Sequence, residues 1–119
     1  MIELLDMGTP KAIGLKISGK IEKPDIDRVY AQAKEKLAQV DKLSVYVELE
    51  RFGGMALDAL LEDAKKGIPL IGKVRKKAVV SDAKWLEVFT KIGDKLFPSI
   101  EARHFYPDQR EQAKAWVKA

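Results

Sequence analysis

Glu48 and Glu50 lie two residues apart in the run Leu43 to Glu50, so on an extended strand both carboxylates share one face. The middle of a sheet is an uncommon place for carboxylates. Buried close together, they would repel one another, raise at least one pKa and supply an acid and a base. The plainer reading leaves Glu50 at an exposed strand end and neutralises Glu48 with a nearby Lys or Arg. It is preferred because no second catalytic element accompanies the pair.

His104 is the single histidine, and the chain has no cysteine. Disulfides, thiolate zinc sites and thiol nucleophiles are therefore excluded, and a reducing compartment suits the chain. On an extended stretch His104 shares a face with Ile100 and Ala102, with no Ser, Asp or metal partner at a recognisable spacing. A structural role is expected for it. Ser81-Asp82 could offer free N–H groups to an anion where a helix begins. Asp82 would repel that anion, so helix capping is the expected role. No motif calls for a cofactor or a metal ion. An enzyme using Glu48, Glu50 or His104 therefore ranks last among the functions weighed.

Lys73, Arg75, Lys76 and Lys77 place four cations within five residues, with Lys65 and Lys66 upstream. They could contact a phosphate, an anionic lipid or an acidic partner, or form a solvated entry to a strand, which is the reading favoured. Nucleic-acid binding would want aromatic side chains among the cations to stack bases. None lies between Phe52 and Trp85, and a net charge of +4 with a pI near 9.2 is mild, so no nucleic-acid partner is expected.

The elements that must position these groups follow from hydrophobic periodicity. Residues 2–7 and 12–18 read as strands joined by a turn at Gly8-Thr9-Pro10, in which Ile13, Leu15 and Ile17 alternate with polar or small residues. So short a connection favours an antiparallel hairpin at a sheet edge. Pro24 fits a first helical position, and Ile26, Val29, Tyr30, Ala33, Leu37 and Val40 recur at helical spacing, with Asp27, Arg28, Lys34, Glu35 and Lys36 outward. Leu43 to Glu50 is the next strand, with Val45, Val47 and Leu49 on one face and Tyr46 and Glu48 on the other. A helix from about Met55 to Lys66 ends at Gly67 before Pro69. Lys73 to Val80 is a strand, and a helix from about Asp82 to Phe97 carries Trp85, Leu86 and Phe89 before Pro98 ends it. Ile100 to Tyr106 is the last strand. Asp108-Gln109-Arg110-Glu111 reads as a capping box for a final helix docked by Ala113, Trp116 and Val117. The order is ββαβαβαβα, about five strands and four main helices, and strands alternating with helices imply a mainly parallel sheet.

At 119 residues the chain is expected to be a single domain, 1–119. Met1 to Asp6 carries carboxylates where a signal peptide needs cations, and no apolar run approaches the roughly 18–20 residues of a membrane span. A cytoplasmic location and no transmembrane segment are the expectation, with peripheral membrane contact left open.

Three stretches together resemble the SpoIIAA-like family, distant relatives of the sulphate-transporter and anti-sigma-factor-antagonist (STAS) domains. They are Val45-Tyr46-Val47-Glu48-Leu49 before Phe52-Gly53-Gly54, then Lys77-Ala78-Val79-Val80-Ser81-Asp82 with Trp85, and finally Glu101-Ala102-Arg103-His104-Phe105 with Ala113 and Ala115-Trp116-Val117. The resemblance implies a STAS-type α/β domain whose strands lie in sequence order with helices alongside. It also implies a regulatory protein partner and, through a likeness to CRAL-TRIO (Sec14-like) domains, a lipid-like ligand. Some STAS domains carry a phosphorylated serine at the start of the helix after the third strand. Here residues 51–63 hold no Ser or Thr, so that switch is expected to be absent.

The leading expectation is thus a non-enzymatic interaction or regulatory module that self-associates as a homodimer. The apolar run Ile68-Pro69-Leu70-Ile71 is a candidate interface, groove lining or core segment. The alternative is a carrier of a small apolar ligand, with Phe52, Leu57, Leu70, Ile71, Trp85 and Phe89 lining an enclosed pocket of at least roughly 300 Å³.

Overall fold

The computed structural model describes residues 1–19, 22–50, 73–82 and 101–119. The two internal helices expected near 55–66 and 82–97, apart from Asp82 itself, lie outside the described residues, as does the run 68–72.

Five strands form one sheet: β1 (Ile2–Leu5), β2 (Ala12–Ile17), β3 (Leu43–Leu49), β4 (Val74–Val80) and β5 (Glu101–Phe105). Their order across the sheet is their order in the chain. β1 is antiparallel to β2, whereas β2, β3, β4 and β5 run parallel to one another. The hairpin follows from its short connection. Gly8 turns the chain at φ +71, where a side chain would be strained. Asp6 Oδ1 accepts from the Gly8 N–H at 2.8 Å, and Thr9 Oγ1 from the Lys11 N–H at 3.2 Å.

The first strand ends at Leu5 rather than at residue 7, because Met7 leaves the ladder and lies across Gly14. A Cβ added at Gly14 would stand 2.7 Å from Met7 Sδ and 3.0 Å from Leu5 Cβ. The missing side chain at 14 is what lets Met7 bury itself.

Helix α1 (Lys23–Leu37) covers one face of the sheet, as its periodicity predicts. Ala33 is buried there with Ile13, Leu15, Ile17, Leu43 and Val47, and Val29, Leu37 and Val40 pack around them. Pro24 occupies the second helical position, not the first. The reason for tolerance is the same, since an N–H in the opening turn has no helical acceptor. Asp25 Oδ2 accepts from the Glu22 N–H at 3.0 Å, and Arg28 donates both to Asp25 and to the Ile2 carbonyl. Lys36, expected to face outward, instead donates to the Thr9 and Ala12 carbonyls at 3.2 and 2.8 Å. It ties the end of α1 to the start of β2.

Helix α2 (Arg110–Lys118) covers the opposite face. Ala113 and Val117 are wholly buried with Tyr46, Ala78, Val80 and Phe105, and Trp116 is packed at the margin. The expected Asp108–Glu111 capping box is displaced. Pro107 opens a 3-10 turn, Pro107–Gln109, and the Gln109 side chain accepts from the Tyr106 N–H at 2.9 Å. Gln109 is therefore used before α2 begins. α1 and α2 are the two α-helices among the described residues.

Candidate functional site

β3 carries Tyr46 and Glu48 on the α2 face, two residues apart as the strand period requires. Tyr46 is fully buried and donates its hydroxyl to Glu48 Oε1 at 2.5 Å. Arg110, the first residue of α2, brings its Nε to 3.5 Å from the same oxygen. Burial, and then the Glu48 carboxylate, push the Tyr46 hydroxyl far above its ordinary pKa of 10.0, so it stays a donor. Glu50, exposed just beyond β3, pairs with Lys16 of β2 at 3.3 Å. The two carboxylates thus each answer to a different cation. This arrangement neutralises charge and holds the start of α2 against the sheet.

His104 of β5 and Ser81, immediately after β4, come together although 23 residues separate them. No sequence spacing pairs His104 with a serine; the parallel register Val79↔His104 does so, because it brings the two strand ends side by side. His104 Nε2 lies 2.8 Å from Ser81 Oγ and 3.1 Å from the Ser81 carbonyl oxygen. A carbonyl oxygen only accepts, so this bond places the proton on Nε2. The Ser81 hydroxyl in turn donates to the Asp82 carbonyl at 3.4 Å. In this tautomer, assigned from the bonding pattern, the imidazole donates towards the serine. Burial pulls His104 below its ordinary value of 6.5, partly offset by bonds with the Ser81 and Asp82 backbone. The neutral ring also meets Tyr106 edge-on at 5.0 Å.

The basic run of β4 is divided by the strand. Leu43 pairs with Val74 and Ser44 with Lys76, leaving Arg75 as the extra residue of a bulge. Arg75 donates to Ser44 Oγ at 3.4 Å and to the Ala119 carbonyl at 3.2 Å. Lys76 donates to the Trp116 carbonyl at 3.2 Å and stands 5.0 Å from the Trp116 ring, with Arg103 at 5.1 Å. Cations belong at a helix C-terminus, where unpaired carbonyls carry partial negative charge. Lys77 points to the α1 face, where burial lowers its pKa, and Lys73 is exposed ahead of the strand.

Phe52, Leu57, Leu70, Ile71, Trp85 and Phe89 all lie outside the described residues. An open cleft of about 320 Å³ does lie between the turn residues Asp6, Thr9 and Pro10 and, across from them, Gln32 and Glu35 of α1 with Gln39 just after the helix. Its lining is polar and unlike the apolar pocket expected of a lipid carrier. No helix among the described residues is long and apolar enough to cross a membrane.

The model of the SpoIIAA-like family matches residues 12–118, from the first residue of β2 to the last of α2. No curated protein and no solved structure matches the chain.

Proposed function

The chain belongs to the SpoIIAA-like family, and on that premise we propose that it is a non-enzymatic regulatory module of STAS type, acting in the cytoplasm through protein contacts and through self-association as a homodimer. The observation that carries the reading is the family match over residues 12–118. With no Ser or Thr in residues 51–63, the contact is regulated by something other than phosphorylation of a serine at that place.

Native mass spectrometry of the full chain purified from its own host tests the proposal. A homodimer, or a stoichiometric complex with one protein, is the expected result. A small-molecule adduct that survives native conditions and is lost on organic extraction would replace it with the carrier reading. A monomer with neither adduct nor partner would remove the self-association part, and stoichiometric cross-linking to a protein in the host would then have to support the rest.

A further inference from the structure

In a parallel sheet the residues that precede the strands meet at one end. Lys11 precedes β2, Lys42 precedes β3 and Lys73 precedes β4, and these strands are neighbours. The Ser44 N–H donates to the Lys11 carbonyl at 2.8 Å, and the Leu43 N–H to the Lys73 carbonyl at 2.7 Å. The lysines therefore stand in a row at strand spacing, on the order of 10 Å from first to last. All three are exposed, and none is in an ion pair among the described residues. The last turns of α1 and α2 add exposed Lys34 and Lys118 on either side of the sheet. The cations thus spread across all three layers, interrupted by the exposed carboxylates Asp6, Glu35, Asp41 and Glu101. At the opposite end Glu50, paired with Lys16, follows β3, Asp82 follows β4 and Asp108 follows β5, while Lys23 and Arg110 open α1 and α2.

We propose that the amino end of the sheet, centred on Lys11, Lys42 and Lys73, is a docking face for an anionic membrane surface. The inference stands on this juxtaposition alone and is independent of the regulatory reading. Lysine is depleted at protein–protein interfaces, which need apolar or aromatic anchors at their centre. The exposed large apolar side chains among the described residues are Met1, Leu4 and Tyr106. Met1 lies beside Ser18 at the other end, Tyr106 follows β5, and Leu4 pairs with Leu15 within the hairpin. Among the described residues the face is therefore electrostatic, without an inserting anchor. Lysine is a flexible point charge rather than a rigid fork, suited to mobile headgroups. A patch spread over three layers matches a plane better than a rod such as duplex DNA.

The test is co-sedimentation of the full chain with mixed phosphatidylcholine–phosphatidylserine vesicles, set against pure phosphatidylcholine vesicles and a DNA duplex at the same salt. Binding is expected to the mixed vesicles alone and to fade as salt is raised. Each of Lys11→Gln, Lys42→Gln and Lys73→Gln is expected to weaken it about fivefold, and the triple variant on the order of a hundredfold. Lys23→Gln, at the far end, should leave it unchanged, and an unaltered thermal transition would show that the variants fold. Equal binding to both vesicle types, no binding to either, wild-type binding by the triple variant, or preference for the duplex would each overturn the proposal.

Discussion

At Glu48 one carboxylate oxygen faces both the Tyr46 hydroxyl and the Arg110 guanidinium, so its removal leaves a buried donor unsatisfied. Glu48→Ala is expected to cost about 1–3 kcal/mol in urea denaturation, because an unpaired buried hydroxyl pays its full desolvation penalty. Glu48→Gln keeps an acceptor for Tyr46 and should cost less. An equal loss for the two variants would show that the hydroxyl bond is not what holds the site. His104 yields a pH prediction. Its folded-state pKa lies below the ordinary 6.5, so the unfolded chain takes up the proton first as pH falls. Its contribution to stability is complete above about 6.5 and is lost as pH drops through that value towards the lower folded-state pKa. Asp25, held down chiefly by the Glu22 backbone bond, acts in a separate window, its contribution lost as pH falls below 3.8. The stability of His104→Gln should be flat across the upper window and still fall in the lower one. The sequence showed His104 and Ser81 but not their meeting. Contact across 23 residues depends on strand register, which no local pattern near His104 encodes.

Elements are joined here by fits that local periodicity only partly announces. The alternation of Ile13, Leu15 and Ile17 was enough to place β2, and the spacing of Val29, Ala33 and Leu37 was enough to place α1. Gly14 shows what alternation omits, because its role is to leave space for Met7. Gly14→Val is expected to cost about 1–3 kcal/mol by overpacking. Gly14→Ala should cost less in a Met7→Ala background than alone, and additive free energies would contradict the contact. On the other face, Ala113 sits fully buried where α2 meets β3 and β4. Ala113→Leu should lower stability by about 1–3 kcal/mol, read as a reduced urea midpoint. The start of α2 differs from the one the Asp108–Glu111 pattern predicts, because Pro107 draws Gln109 into a 3-10 turn before the helix.

At the scale of the molecule, the two helices among the described residues lie on opposite faces of one sheet, and α2 is tied at its start by Glu48 and near its end by Arg75 and Lys76. A homodimer built on the apolar run Ile68 to Ile71 predicts that thermal stability rises with protein concentration. Leu70→Glu with Ile71→Glu should then yield a monomer in sedimentation velocity. A wild-type sedimentation profile for that variant would place the interface elsewhere.

The sequence by itself determined the elements it could write in local pattern: five strands in their order, the hairpin before the parallel strands, the first and last helices, and the family. These are legible because side-chain period and connection length act over a few residues. Tertiary structure alone decided which charges meet. It gave Glu48 to Arg110 and Glu50 to Lys16, set Ser81 against His104, turned Lys76 and Lys77 to opposite faces, and aligned Lys11, Lys42 and Lys73 along one end. The physical reason is the same in each case. Hydrophobic burial chooses the faces and the register, and the polar groups then find partners wherever that register leaves them.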